Sequence, residues 1–472
     1  MTMAAKMSIS FSASIEPIRH HRSPMSTPIQ NQLDFPFDHH SLIQIMSSVL
    51  QKAKSNNLDV ASEFEEKSPE KGAVWLDSSL ACDDWGRRSL VTVQPIAELV
   101  LYGSGSMLYL QNTDKVRSDR AGFYRELEKL ASEQNKCAIG FISYEAALPW
   151  LGIQPCQPPN CMPDAHFFVY DKVNWLENIS KQPDKAWTSA NSANPGHGSA
   201  ILQPTISAEQ YIDRVRQIKW HIREGDIYQA NFTCRFDVDS PVTPFEAYKR
   251  LRRLNPAPYS AFINFGDYQV LSSSPERMFF KEGNRIHSSP IKGTIKRGST
   301  PQETAVNLEH LLNSAKDRAE LLMIVDLVRN DLGKIARTGT VRVEKLFRAE
   351  VYSSLIHLIA DISAELKPDI GIEDIFRALL PGGSITGTPK KRAVEIIEEM
   401  ESTRRSVYTG CIGYIDGDRA DFNLAIRTIM HRDGCYQIHA GSGIVADSDP
   451  EAEYEEMLLK ARNLFAAVGI GQ

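Results

Sequence analysis

Lys292 sits in Pro290-Ile291-Lys292-Gly293-Thr294, sixteen positions after Glu276 in Ser274-Pro275-Glu276-Arg277. An amine beside a carboxyl suits nucleophilic substitution at a carbon that bears a poor leaving group. The carboxylic acid protonates the departing oxygen and the amine attacks carbon. Each residue reads as lying on its own tight loop. A lysine in such a segment is ordinarily a solvated surface charge, so the pair gains meaning only from its company.

That company begins with two acidic pairs. Asp317 and Glu320 are three apart, and Glu453 and Glu456 repeat the spacing. On a helix, residues at i and i+3 project from one face. Two such helices facing each other would offer four carboxylates, a hard oxygen environment suited to Mg²⁺. Glycines recur in Pro381-Gly382-Gly383-Ser384-Ile385-Thr386-Gly387-Thr388-Pro389-Lys390 and in Ala440-Gly441-Ser442-Gly443-Ile444-Val445. Glycine lets backbone N–H groups approach an anion closely, which suits carboxylate recognition. The first series lacks the Gly-Lys-Ser/Thr of a P-loop. Arg427, between Ile426 and Thr428, reads as a cation on a buried strand, where it needs an anionic partner. His357 lies among Leu355, Ile356, Leu358 and Ile359, the setting of a core histidine.

The elements must position these groups. The chain has 472 residues, 42% of them hydrophobic and 24% charged, enough to bury a large core. A net charge of −6 without a basic patch implies neither nucleic acid nor an anionic membrane as partner. No apolar run approaches a membrane span. Seven scattered cysteines without Cys-x-x-Cys spacing fit a reducing, cytoplasmic setting and no structural zinc.

Residues 1–35 read as a disordered extension, although Glu16 is the only acid in the first 33 residues, a composition shared by organelle targeting segments. Residues 36–176 form a strand-rich N-terminal region. Strands are expected at 73–77, 89–93, 138–144 and 166–170, and a helix at 123–131. Residues 177–204 read as an exposed linker. The region 205–472 carries nearly all the chemistry. Helices are expected at 207–223, capped by Ser207, at 309–332, at 389–399, and at 450–468 behind Pro450 and several acids.

Seven segments in order resemble the chorismate-utilising enzymes: Gly225 to Gln229, Ser274 to Arg277, Pro290 to Thr294, Ile324 to Asp331, Pro381 to Lys390, Ala425 to Thr428, and Gly441 to Ser448. The resemblance is dense over 205–472 and weaker before it. It implies an α+β fold with two large antiparallel sheets packed together and helices outside. Isochorismate-forming members carry a lysine where Gln229 stands, and an amide cannot activate water. Anthranilate-forming members carry alanine where Lys292 stands. Lysine there marks the branch whose product is 4-amino-4-deoxychorismate, a step toward 4-aminobenzoate and folate; the anthranilate-forming branch is the alternative.

The resemblance also implies roles. Glu276 is the general acid, Lys292 the nucleophile, and His357 a residue that orients or polarises substrate. Glu320 and Glu456 hold Mg²⁺, with Asp317 and Glu453 in support. Arg427, Tyr408 and Lys460 take the enolpyruvyl carboxylate of chorismate. Gln229, Thr294, Gly441 and Gly443 complete the substrate cradle. No Gly-x-Cys-x-Gly turn of a glutaminase occurs, so ammonia is expected from a separate glutamine amidotransferase subunit. Ser78, Pro258, Tyr259 and Ser260 match positions that bind L-tryptophan in the family.

Overall fold

The computed structural model describes residues 64–78, 88–103, 107–111, 114–177, 200–352 and 355–471. The extension at 1–35 and residues 178–199 of the expected linker lie outside the described residues.

Among the described residues the strands form two antiparallel sheets, of ten and twelve strands. The first runs in the order Gly387–Thr388, Gln229–Asp239, Cys435–Ile444, Thr428–Arg432, Tyr268–Ser274, Tyr259–Asn264, Val74–Asp77, Arg88–Thr92, Asn174–Glu177. The second holds Ile291–Lys296 and Leu355–Glu365 at one end and Cys137–Ile142 and Ala165–Tyr170 toward the other. Strands from before residue 178 and after residue 200 enter both sheets, so the N-terminal and catalytic regions are interleaved. The tail of the expected linker is itself a strand, Ile201–Pro204, paired with Gln229–Asp239.

Period-two patterning explains the layers. In Gln229–Asp239, Ala230, Phe232, Cys234, Phe236 and Val238 pack toward the helices Ala208–Arg223, Lys390–Met400 and Pro450–Ala467. The alternate residues Gln229 and Asn231 face the opposite side of the sheet. The second sheet buries its outer face against Arg120–Ser132, Ala315–Ile335 and Ile372–Leu379. The inner faces of both sheets share a third core, in which Val74, Ile263 and Val270 of the first sheet meet Ile139, Phe168 and Ile412 of the second. The α+β architecture of two stacked sheets with outer helices is therefore as expected.

The expected helices at 207–223 and 450–468 form as Ala208–Arg223 and Pro450–Ala467, the first closed by a capping box between Ser207 and Gln210. The expected helix at 309–332 is two helices. Pro301–Asn313 ends at Ser314, whose hydroxyl accepts from the Asp317 N–H and starts Ala315–Ile335. This restart sets where Asp317 and Glu320 project. Among the described residues no helix is long and apolar enough to cross a membrane.

Phe265 anchors the inter-sheet core. Its ring lies 5.2 Å from Phe168, 5.3 Å from Phe141 and 4.9 Å from Tyr268. Phe265→Ala is expected to cost about 3–5 kcal/mol of stability, measured by urea denaturation.

Candidate active site

The chain passes between the sheets twice at one place. Pro275 and Glu276 carry it from Tyr268–Ser274 in the first sheet to Arg277–Glu282 in the second. Ala425–Arg427 carry it back from Arg419–Leu424 to Thr428–Arg432. The two crossings are tied together. The Leu424 N–H donates to the Glu276 carbonyl at 3.0 Å, the Ser274 hydroxyl donates to the Leu424 carbonyl at 2.6 Å, and the Ser273 N–H donates to the Arg427 carbonyl at 3.1 Å. Arg427 is therefore not on a strand, as its sequence setting suggested. It turns the crossing with a φ of 50°.

Lys292 also departs from the expected tight loop. It lies on the strand Ile291–Lys296, paired with Leu358, and the register slips by one residue between Lys292 and Thr294. Gly293 is the extra residue of this bulge and takes a φ of +77°. A Cβ there would stand 2.9 Å from the Asp317 Cβ, so only glycine lets the lysine strand approach the acidic helix this closely.

A cavity of about 570 Å³ opens at the crossings. All fourteen residues expected to act on substrate, bind it or hold the metal line it: Glu276, Lys292, His357, Gln229, Thr294, Tyr408, Arg427, Gly441, Gly443, Lys460, Asp317, Glu320, Glu453 and Glu456. Asn231, Ser384 and His439, which sequence reasoning did not single out, line it as well.

Burial sets the electrostatics. Burial pushes the Glu276 carboxyl up to about 7, against the pull of Lys292 and of the Ser384 hydroxyl, which donates to Oε1 at 3.0 Å. Burial lowers the Lys292 amine, opposed by the nearby Glu276 and Glu320 carboxylates. Lys292 Nζ donates to the Ser384 carbonyl at 3.4 Å, so one serine touches both groups. The pair is thus biased toward a neutral acid and a neutral amine. Ser384 lies in the first glycine series, where the sequence suggested backbone recognition of an anion rather than a side-chain contact to an acid.

Burial, then the Arg427 guanidinium, pushes His357 down to about 3, so its ring is neutral. Its Nδ1 lies 2.8 Å from the Thr294 hydroxyl. Arg427 donates to Asn255 Oδ1 at 3.1 Å and makes no ion pair among the described residues. Among those residues no carboxylate balances its charge in the cavity wall. Burial pushes the Tyr408 phenol up to about 12 and keeps it a donor.

The four acids reach the cavity from two helices but do not converge. Among the described residues no three His, Cys, Asp or Glu groups are placed to hold a metal ion. Helix spacing fixes which face an acid takes, not the gap between two helices. Lys460 lies 2.7 Å from Glu456, and Lys316 lies 3.9 Å from Glu320. Burial raises Glu456, yet Lys460, Lys316 and Lys292 outweigh it and hold the carboxyl below its ordinary range. The Ser448 hydroxyl donates to Glu453 at 2.6 Å. The donor set still fits Mg²⁺, which commonly takes one or two carboxylates and fills its octahedron with water and substrate oxygens.

Behind the cavity lies an ion pair that sequence patterns did not reveal. Arg405, 1% exposed, donates to Glu401 through Nη2 at 2.6 Å and Nε at 2.8 Å. It also donates to the Asn231 carbonyl at 2.7 Å and the Ile385 carbonyl at 2.9 Å. Glu401 in turn accepts from the Thr233 N–H and hydroxyl. One guanidinium thus holds a strand of the first sheet against the glycine-rich segment.

Ser78, Pro258, Tyr259 and Ser260 also come together, around a separate cavity of about 60 Å³ that Asp77, Arg88 and Asn423 also line.

Residues 74–466 match the chorismate binding enzyme family, and the chain belongs to that family. Two activity names recur among its relatives. An aminodeoxychorismate synthase component 1 of Klebsiella aerogenes is 38% identical over 429 residues, covering 85% of this chain and 95% of the relative. The Escherichia coli protein of that name is 34% identical over 83% of this chain and 92% of its own. An anthranilate synthase component 1 of Haloarcula marismortui is 38% identical over 70% of this chain and 73% of its own. The crystal structure of anthranilate synthase component I from Streptococcus pneumoniae superposes with a TM-score of 0.68 at 28% identity, covering 82% of this chain and 93% of that one.

Arg405→Met leaves Glu401 buried without its cation. It is expected to lower stability by about 3–5 kcal/mol in urea denaturation.

Proposed function

We propose that this chain forms 4-amino-4-deoxychorismate from chorismate and ammonia, the activity of an aminodeoxychorismate synthase component 1. One observation carries the reading: a buried amine, Lys292, shares a cavity and a serine contact with a buried acid, Glu276. The second reading, formation of anthranilate, draws support from the relatives of that name at similar identity.

In the proposed reaction the ring of chorismate lies between Glu276 and Lys292. Arg427, Tyr408 and Lys460 bind the enolpyruvyl carboxylate, and among the described residues no carboxylate pairs with Arg427 to compete. Mg²⁺ held by Glu320 and Glu456, with Asp317 and Glu453 in support, would neutralise the ring carboxylate and fix the ring. Glu276 gives its proton to the C4 oxygen, which leaves as water. The Lys292 nitrogen bonds to C2 as the ring double bond shifts. Ammonia then bonds to C4, the double bond shifts back, and the lysine leaves C2 as an amine. His357, neutral and held by Thr294, orients the substrate.

The amine must be neutral to attack and the acid protonated to donate, the state that burial favours. A separate glutamine amidotransferase is the proposed ammonia source. L-tryptophan is the proposed occupant of the cavity at Ser78, Pro258, Tyr259 and Ser260.

Incubation with chorismate, ammonium salt and Mg²⁺ tests the reading. The expected product is 4-amino-4-deoxychorismate by mass spectrometry, without the fluorescence of anthranilate; anthranilate as the main product supports the second reading. Chelation by EDTA should abolish turnover and Mg²⁺ should restore it.

Glu276→Gln should lower kcat at least a hundredfold and leave chorismate binding within a few fold. Lys292→Ala should remove the covalent adduct from intact-mass spectra. Because burial holds the Glu276 proton up to about 7, a carboxyl titration near that pH should appear in ¹³C-glutamate spectra of the wild type and vanish in Glu276→Gln. Spectra that do not differ there would remove Glu276 as the acid.

A further inference from the structure

His439 has no part in the reaction as proposed, yet it lines the same cavity. It lies on the strand Cys435–Ile444, opposite Arg235 and two residues before Gly441. Its neighbours Ile438 and Ala440 pack into the helix-side core, so strand alternation turns His439 the other way, the side that Gly441 also faces. The residue is 2% exposed. Its ring stacks on Tyr408, with centroids 5.2 Å apart and planes 12° from parallel.

Among the described residues neither ring nitrogen meets the distance and angle of a hydrogen bond. The Arg404 backbone comes close enough to favour the protonated ring, without completing that geometry. Burial, then the Arg235 and Arg405 guanidiniums, hold the ring well below its ordinary pKa. It is therefore a neutral imidazole, with one N–H to give and one lone pair to offer. A histidine that serves packing alone normally closes at least one hydrogen bond when buried. The polar end of the cavity is close at hand. Tyr408 is in ring contact, and the Gly441 carbonyl accepts from Lys460 at 3.2 Å.

We infer that His439 is a substrate-binding residue whose ring, braced on Tyr408, donates an N–H to an oxygen of the enolpyruvyl carboxylate. The inference rests on the proposed placement of that carboxylate against Tyr408 and Lys460. Arg427 and Lys460 supply charge there, whereas a neutral ring supplies direction. A site that aims a buried donor at one oxygen discriminates against ligands that lack it, because the donor is then left unpaired.

Titration calorimetry with chorismate and Mg²⁺, ammonia omitted, provides the test. His439→Phe keeps the stack and removes the donor; its dissociation constant should rise about tenfold, which is about 1.4 kcal/mol. His439→Gln restores a donor and should bind within about threefold of wild type. With ammonia present, the His439→Phe defect should appear in KM, with kcat within about threefold. Wild-type affinity in His439→Phe overturns the inference, as does a loss that His439→Gln fails to recover. If wild type itself binds no chorismate, the functional reading fails and takes this one with it. Should His439→Phe not fold, ¹⁵N spectra of the wild-type histidines decide: a ring N–H newly protected from exchange by chorismate supports the inference, and an unchanged ring signal overturns it.

Discussion

The site depends on burying an amine and a carboxyl together. Attraction between Lys292 and Glu276 favours the ion pair, and loss of water penalises both charges. Burial is the larger influence on each, so the acid is pushed up to about 7 and the amine is lowered. Each shift moves the pair toward a protonated carboxyl and an amine with a free lone pair. Exposed to solvent, the same two side chains would lose both shifts. Burial between the apolar inner faces of the sheets sustains the arrangement, against the pull of the Ser384 hydroxyl on Glu276.

The scaffold supplies that dry place by its topology. The inner faces are apolar where they meet, and the sheets part where the chain crosses between them. Backbone hydrogen bonds lock the crossing at Glu276 to the crossing at Arg427, so an acid and an anion-seeking cation keep a fixed relation. Arg405 performs the same service from behind by joining carbonyls of Asn231 and Ile385. A charge buried this deeply is costly, and the Glu401 carboxylate with the two carbonyls is the compensation. The polar wall is thereby held by groups that never enter the cavity.

Much of this was legible in the chain. The Ser207 cap and Pro450 in the first helical position marked helix starts because their chemistry is local. The ordered motifs, helix spacing and the resemblance they carry pointed to fourteen of the residues that line the cavity. The break at Ser314 was hidden because Leu308, Leu311 and Leu312 carry the apolar spacing right up to it. Arg427 looked like a strand residue because its flanks, Ala425-Ile426 and Thr428-Ile429, are apolar or β-branched; only its positive φ shows the turn. The separation of the acidic pairs depends on how two helices pack, which no i, i+3 spacing encodes. Arg405 and His439 belong to no short pattern, and only the fold reveals what surrounds them.

The bulge at Gly293 bears on how such proteins diversify. The strand is held there by its ladder with Leu355–Glu365 and by the glycine's close fit to Asp317, whereas the Lys292 side chain makes one long hydrogen bond and no ion pair among the described residues. The architecture therefore does not rely on what stands at position 292. A single codon can exchange the residue at 292 while the fold, the crossings and the rest of the cavity wall persist, so one framework can present different side chains to the same pocket without rebuilding it.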